Sequence, residues 1–355
     1  MNILVTGGAG FLGLHIARYL ATEKRKNGSK IGKIIFIDIA PFDTKEYPSE
    51  IECVHADVRD EDRIAELTKG IDVVIHAAAA LPLWKREEIL STNIGGTENM
   101  LKQSAVNGVK HLIYISSTAV YGVPKKHPVM ETDPMVGVGA YGESKIAAEK
   151  KCQIYREDHG ICVTVIRPKT FVGTHRLGVF EILFDWIKDG KRIPVIGTGD
   201  NKYQLLDVDD LVEAIYLFAT RAKTNDINTE FNIGAEKFST VRQDLQQLFD
   251  HAKSGSRVMP TPAKPIKTAL FIFEKLGLSP LYQWVYDTAD KDSFVSIDKL
   301  TKTLKWHPRY SNAQALIKAY GWYEQHYTEI KSRTPGVTHT VGWKQGILGL
   351  FKRFM

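Results

Sequence analysis

The chain opens Met1-Asn2-Ile3-Leu4-Val5-Thr6-Gly7-Gly8-Ala9-Gly10-Phe11-Leu12-Gly13. Ile3, Leu4 and Val5 read as a short buried parallel strand. The run breaks into Gly7, Gly10 and Gly13, spaced G-x-x-G-x-x-G, and a helical pattern follows from Phe11 to Leu20. Strand, glycine turn and helix together aim free backbone N–H groups at an anion. Two of the glycines suit a tight turn and the close approach of a pyrophosphate, and the third lets the helix pack on the strand. The spacing has one residue more between the first two glycines than G-x-G-x-x-G. Such a turn also occurs in βα units that bind no nucleotide.

Working outward, apolar runs alternate with helical stretches. Residues 33–37 lead into Asp38, 52–56 into Asp57, and 73–76 into Ala77-Ala78-Ala79-Ala80. Residues 111–116 lead into Ser117-Thr118, and 163–167 into Pro168. Helical periodicity occupies 64–67, 97–107 and 144–157. The pattern predicts an α/β fold, a doubly wound parallel Rossmann sheet, with each residue after a strand facing one crevice. Beyond 170 the texture changes to helices at 180–189, 207–219 and 239–252 and short strands at 192–196 and 231–234. Residues 259–265 are proline-rich and are expected to break regular structure. The expected division is a nucleotide-binding domain at 1–170 with returns near 205–235, a smaller substrate lobe over 171–335, and a tail at 336–355.

Composition narrows the function. The 355 residues carry a net charge of +6, with basic and acidic residues interleaved, so nothing calls for nucleic acid. Cys53, Cys152 and Cys162 show no metal or redox spacing and read as reduced thiols. No metal site is expected. No apolar run reaches the ~18 residues of a spanning helix. Met1 leads straight into a strand without a secretory signal. A cytoplasmic enzyme is the expectation.

Asp38 follows Gly13 by 25 residues, at the end of the second strand. A carboxylate there accepts both hydroxyls of an adenosine ribose and repels a 2′-phosphate. Ile39-Ala40-Pro41 offer no base to pair such a phosphate, which favours NAD over NADP. Asp57 is placed to meet the adenine edge. Tyr141 and Lys145 stand at i, i+4 on one helix face. An ammonium and a positive nicotinamide ring beside the phenol favour phenolate, which takes a carbinol proton while hydride leaves the same carbon. Ser117, at the end of the fifth strand, can hydrogen-bond the same oxygen.

These residues carry a family resemblance. Thr6-Gly7-Gly8-Ala9-Gly10-Phe11-Leu12-Gly13, His76-Ala77-Ala78, Asn93 in Asn-Ile-Gly-Gly-Thr, Ser117 in Ser-Thr-Ala-Val-Tyr-Gly, Tyr141-x-x-x-Lys145 and Arg167-Pro168 stand in family order. Tyr203-Gln204-x-x-Asp207-Val208-Asp209-Asp210, Phe231-Asn232-Ile233-Gly234 and Leu304-Lys305-Trp306-His307-Pro308 follow. Over roughly residues 1–330 the chain resembles the extended short-chain dehydrogenase/reductases, the NAD-dependent epimerase/dehydratase group. The resemblance implies a catalytic Ser117, Tyr141 and Lys145, with Lys145 also on the nicotinamide ribose. It implies pyrophosphate contacts from Gly7, Gly10, Phe11 and Leu12, and Asp38 on the ribose. Asp57 and Val58 would meet adenine, Ala77, Ala78 and Asn93 would line the cofactor's path, and Pro168 would meet the nicotinamide.

Departures from the subgroups matter. The 4,6-dehydratases carry Asp-Glu directly after the catalytic hydroxyl, and this chain has Thr118-Ala119. Epimerases follow the sixth strand with an Asn, and here stands Lys169-Thr170-Phe171-Val172-Gly173. Arg176, Lys202 and Lys291 are candidate anion contacts, with solvated surface charge as the ordinary alternative. Two substrates stay open. One is a nucleotide sugar, turned over as by a 4-epimerase. The other is a hydrophobic alcohol, as in relatives resembling 3β-hydroxysteroid dehydrogenases or dihydroflavonol reductases, with Phe271, Phe273, Tyr282, Trp284 and Tyr286 lining a greasy site or filling a core. A non-catalytic NAD-binding scaffold is the third reading. By resemblance the helices at 97–107 and 144–157 would form a homodimer interface. The tail at 342–355 places Trp343, Ile347, Leu350, Phe351 and Phe354 at helical spacing beside Lys344, Lys352 and Arg353. That suits either peripheral membrane contact or docking on protein.

Overall fold

The computed structural model describes residues 1–27, 30–221, 224–276, 283–332 and 352. The first half runs β1 (Ile3–Thr6), α1 (Phe11–Asn27), β2 (Ile34–Asp38), β3 (Glu52–His55), α2 (Glu61–Leu67), β4 (Val73–His76) and α3 (Arg86–Leu90). A π-helical turn, Ser91–Gly96, runs into α4 (Thr97–Val106) and β5 (His111–Ile115). A 3₁₀ turn, Thr118–Tyr121, precedes α5 (Gly139–His159), β6 (Cys162–Pro168) and β7 (Phe171–Val172). The second half runs α6 (Val179–Lys188), β8 (Ile193–Ile196), β9 (Leu206–Asp207), α7 (Val208–Thr220), β10 (Glu230–Ile233) and α8 (Val241–Ala252). It ends with β11 (Val258–Thr261), α9 (Ala263–Lys275), α10 (Gln283–Thr288), α11 (Asp298–Leu304), α12 (Asn312–Gln325) and α13 (Tyr327–Ser332). No helix among the described residues is long and apolar enough to cross a membrane.

Seven parallel strands form the central sheet in the order β10-β6-β5-β4-β1-β2-β3. The winding reverses between β1 and β4, and the crevice beyond their carboxyl ends is where such sheets bind ligands. The inner strands β1 and β4 are buried along their length because helices cover both faces, whereas the edge strand β3 (Glu52–His55) is exposed at its ends. Ile3 and Val5 pack on one side with Phe11, Ile16, Leu211 and Phe218 of α1 and α7. Leu4 points the other way, into a core with Met100, Leu101, Tyr114 and Ala148. β10, α7 and Leu300 of α11 join this sheet layer from far along the chain. A separate core of Phe184, Trp186, Leu248, Leu316, Tyr320 and Tyr323 holds α6, α8 and α12 together.

Two local expectations change. Helix α5 begins at Gly139, five residues before the apolar periodicity resumes. Gly137 and Gly139 adopt left-handed φ of 65° and 64°, which turns the chain into the helix. Residues 259–265, expected to be irregular, form β11 and the start of α9. Pro260 sits in a two-stranded sheet with β8, and Pro265 sits in the first turn of α9, where no intrahelical N–H is needed.

Candidate active site

Gly7 turns at φ 71°, so close to the end of β4 that a Cβ there would lie 2.8 Å from the Ala77 carbonyl carbon and the Ala78 nitrogen. A Cβ at Gly13 would lie 2.3 Å from the Gly8 carbonyl oxygen. The third glycine therefore seats α1 on the turn itself rather than on the strand. Helix α1 starts at Phe11, so the amides of its first turn face the crevice without intrahelical acceptors.

Asp38 ends β2 and holds the turn. Its Oδ2 accepts the Ala9 amide at 3.0 Å and its Oδ1 accepts the Ala40 amide at 2.8 Å. Burial pushes its carboxyl above the ordinary range, and these amide hydrogen bonds oppose that. Asp57 is placed differently. Its carboxylate is taken by Arg59, with Nε 3.0 Å from both oxygens, and the guanidinium holds the carboxyl below its usual range. Val58 lines the crevice and Asp57 does not.

Tyr141 lies in the first turn of α5 and Lys145 one turn on. The Ser117 hydroxyl, at the start of the 3₁₀ turn, is hydrogen-bonded to the Tyr141 phenol and accepts the Ala119 amide at 3.1 Å. Burial pushes the phenol up to about 12, against the Ser117 hydrogen bond and the charge of Arg176. Lys145 is buried. Its Nζ donates to the Ile115 carbonyl at 2.9 Å and sits 5.8 Å from the Tyr141 ring centre. Burial pulls its ammonium down to about 8, with Glu149 opposing. At neutral pH this is a cation beside a neutral phenol, a pair that becomes a base once further positive charge is added.

Asn93, from the π-helical turn, is fully buried and does not line the crevice. Its Oδ1 accepts the Ala80 amide at 2.8 Å, and its Nδ2 donates to Ser144 Oγ at 3.0 Å. Ser144 donates in turn to the Tyr141 carbonyl at 2.8 Å. Asn93 thus braces the turn that carries Tyr141. His76 bridges Thr6 at 2.7 Å and Thr97 at 3.0 Å, tying β1 to α4. The later motif is also structural. Gln204 spans Ala235 and Val295, and Asp207 caps α7 and pairs with Lys318 at 2.7 Å.

A cavity of about 900 Å³ runs from the glycine turn past Asp38 to Ser117, Tyr141, Lys145 and Pro168. Ala77 and Ala78 also line it. Lys169, Thr170, Phe171, Arg176 and Glu274 line it too, with Phe171 stacked on Phe11 at 5.7 Å between ring centres. Arg176 is not a solvated charge. It is only 7% exposed, its guanidinium 5.2 Å from the Phe11 ring centre and 5.6 Å from that of Phe171. Lys202 and Lys291 do face solvent, Lys291 beside Asp290 at 3.6 Å. Sequence reasoning placed no role on Lys169 or Glu274. No local signal marks them, since only the docking of the lobe makes them cavity walls. Of the suspected greasy aromatics, Phe271 is 45% exposed and Tyr286 is buried with its hydroxyl on Glu274. Neither lines the cavity, nor does Phe273. Tyr282 and the Trp284 side chain lie outside the described residues. So does the tail except Lys352, which pairs with Asp189 at 2.7 Å and with Asp185.

A dinucleotide fits these walls: a cradle that a Cβ would fill, first-turn amides, a strand-end carboxylate and a cavity of the right length. A family model described as "NAD dependent epimerase/dehydratase family" matches residues 3–234. The chain is 34% identical over 348 residues to uncharacterized protein y4nG of Sinorhizobium fredii, covering 98% of this chain and 84% of that one. It is 26% identical over 357 residues to a UDP-glucose 4-epimerase of Halalkalibacterium halodurans, covering 92% and 96%. Among solved structures, UDP-glucuronic acid 4-epimerase from Bacillus cereus in complex with NAD superposes with a TM-score of 0.75 at 22% identity, covering 92% and 98%.

Proposed function

The chain belongs to the NAD-dependent epimerase/dehydratase family and is an enzyme of the extended short-chain dehydrogenase/reductase type, and on that premise we propose that it is a nucleotide-sugar 4-epimerase. The observation that carries this reading is the hydrogen-bonded Ser117–Tyr141 pair, with buried Lys145 beside it, in a cavity that the charged groups Lys169, Arg176 and Glu274 also line. NAD, when bound, supplies the hydride acceptor and returns the hydride. Gly7, Gly10, Phe11 and Leu12 would hold its pyrophosphate, Asp38 the adenosine ribose, Val58 the adenine, and Ala77, Ala78 and Pro168 the remaining length. The two hydroxyls that Asp38 would accept favour NAD over NADP. Asp57 would reach the adenine only by sharing its carboxylate with Arg59.

Tyr141 takes the proton of the sugar hydroxyl, and Ser117 holds the same oxygen. Lys145 keeps positive charge beside the phenolate and would donate to the nicotinamide ribose. After the keto sugar turns over in the cavity so that the opposite face of its carbonyl carbon is presented, Tyr141 returns the proton to the same oxygen. Elimination of water needs a second acid/base, and Thr118-Ala119 bring none, which favours epimerisation over dehydration. Phe271, Phe273 and Tyr286 do not line the cavity and Glu274 does, which favours a polar substrate over a hydrophobic alcohol. Residues 1–170 with the returns near 205–235 would serve the cofactor, and 171–335 the sugar. A homodimer through α4 and α5 would cover Val106 and Ile154, both exposed.

The test is a substrate screen. Purified protein with NAD is offered UDP-sugars, dTDP-sugars and hydrophobic secondary alcohols. Epimerised sugar without net NADH release is the expected result. NADH accumulating with a sterol-like alcohol, with silence toward every sugar, overturns the reading.

A further inference from the structure

Lys169 is the cavity's most unusual group. It follows β6 directly, its amide held by the Ile233 carbonyl at 2.9 Å. Its side chain is 2% exposed. Nζ donates to Ser293 Oγ at 2.7 Å and lies 4.9 Å from the Tyr203 ring centre. Among the described residues it has no carboxylate within ion-pair distance. A buried ammonium with one neutral acceptor and an aromatic face is left short of the counter-charge that interiors demand. Burial pulls it down to about 7.

Its place in the cavity indicates what supplies that charge. In sheet order β6 lies beyond β5, away from β1 and the glycine turn. Lys169 therefore stands on the far side of Ser117 from the dinucleotide cradle, where the second substrate must lie. The charged or titratable groups around it are few. His127 and Asp292 lie on the Ser293 side, and Tyr121 shares a small neighbouring pocket with it. Lys145, Tyr141, Arg176 and Glu274 line the same large cavity.

Resting on the nucleotide-sugar reading, we infer that Lys169 receives a carboxylate carried by the sugar ring, so that the preferred substrate is a nucleotide-linked uronic acid rather than a neutral hexose. The Nζ has two donors beyond the one given to Ser293, enough for a carboxylate oxygen pair. Anion binding raises the proton affinity of the amine, so above neutral pH the uronate takes up a proton as it binds.

The experiment is titration calorimetry of the NAD-loaded enzyme with UDP-glucuronic acid, UDP-glucose, dTDP-glucose and UDP. At pH 6.5 the uronate is expected to bind at least about 10-fold more tightly than UDP-glucose. At pH 8, in buffers of different ionisation enthalpy, it should take up close to one proton per site, and UDP-glucose none. Lys169→Met should abolish both the preference and the uptake, and Lys169→Arg should keep the preference. The wild-type affinity ratio of uronate to UDP-glucose, read beside the proton uptake, decides the matter even where Lys169→Met does not fold. Equal affinities without proton uptake overturn the role of Lys169 alone. Failure of all four ligands to bind overturns the nucleotide-sugar reading and this inference with it.

Discussion

Nη2 of Arg167 on β6 lies 2.6 Å from Oε2 of Glu149 on α5, both side chains almost wholly buried. Nε reaches Oε1 at 3.0 Å and Nη1 donates to the Tyr121 hydroxyl at 2.7 Å. Glu149 also accepts from Ser116, directly before Ser117. One ion pair thus fixes the helix that bears Tyr141 and Lys145 against the strand end that bears Ser117. Removing one partner strands the other charge in the interior. Glu149→Ala should cost about 3–5 kcal/mol, read from the denaturation midpoint, and turnover should fall with it. A Glu149→Leu, Arg167→Met double variant should lose much less stability than the two single losses summed.

Proton transfer is assigned to Tyr141. Tyr141→Phe should abolish turnover while NAD stays bound, and Lys145→Met and Ser117→Ala should each lower kcat by about 100-fold or more. In the proposed mechanism phenolate is the working form, and burial holds the phenol high, so log kcat should rise with pH below the phenol's pKa. Lys145→Met removes the neighbouring ammonium and should move that rise to higher pH. Unchanged turnover by Tyr141→Phe, followed by sugar chromatography, would refute the assignment.

The glycine turn makes a steric prediction. Gly7→Ala places a methyl 2.8 Å from backbone at a left-handed φ, so NAD affinity should fall at least about 10-fold and stability by about 1–3 kcal/mol. Gly70 has a φ of 69° with open space around it, and Gly70→Ala should cost only about 1 kcal/mol and leave NAD binding alone. Fluorescence titration and thermal melts separate the two.

Asp38→Asn keeps the shape of the strand end and removes its charge. The ratio of NAD to NADP affinity should narrow by about 10-fold, since a 2′-phosphate no longer meets a carboxylate. An unaltered ratio in equilibrium dialysis would assign Asp38 to holding the Ala9 amide alone.

His76 supplies a pH dependence of stability. Burial drops its folded-state pKa to about 3, against 6.5 in the unfolded chain. Between those values the unfolded chain holds the extra proton. The contribution is therefore complete above pH 6.5 and is lost as pH falls, by up to about 1.4 kcal/mol per pH unit. His76→Asn should melt lower at pH 7.5 and show a shallower loss between pH 6.5 and 4.

The cofactor half was legible because local rules write it. A parallel strand covered on both faces must be apolar, a turn against a backbone must be glycine, and a helix places i and i+4 on one face. Gly7, Asp38, Tyr141 and Lys145 could each be picked out on those grounds. The start of α5 was not legible, because Gly139 to Glu143 carry no apolar stripe and positive φ at two glycines sets the turn. Asn93 and Asp57 could be found as residues but not in their contacts, because Ser144 and Arg59 claim their side chains only in the fold.

By itself the sequence determined the α/β architecture, the glycine turn and the Tyr141–Lys145 pair, since each depends on the pattern of residues within a strand, a turn or a helix. The tertiary structure alone decided which cations are buried in the cavity wall. In the sequence Arg176 is a candidate anion contact or a surface charge and Lys169 carries no role, until Phe11, Phe171, Tyr203 and Ser293 close around them. The physical reason is that desolvation comes from what packs against a side chain, and here the packing residues lie up to 165 and 124 positions away.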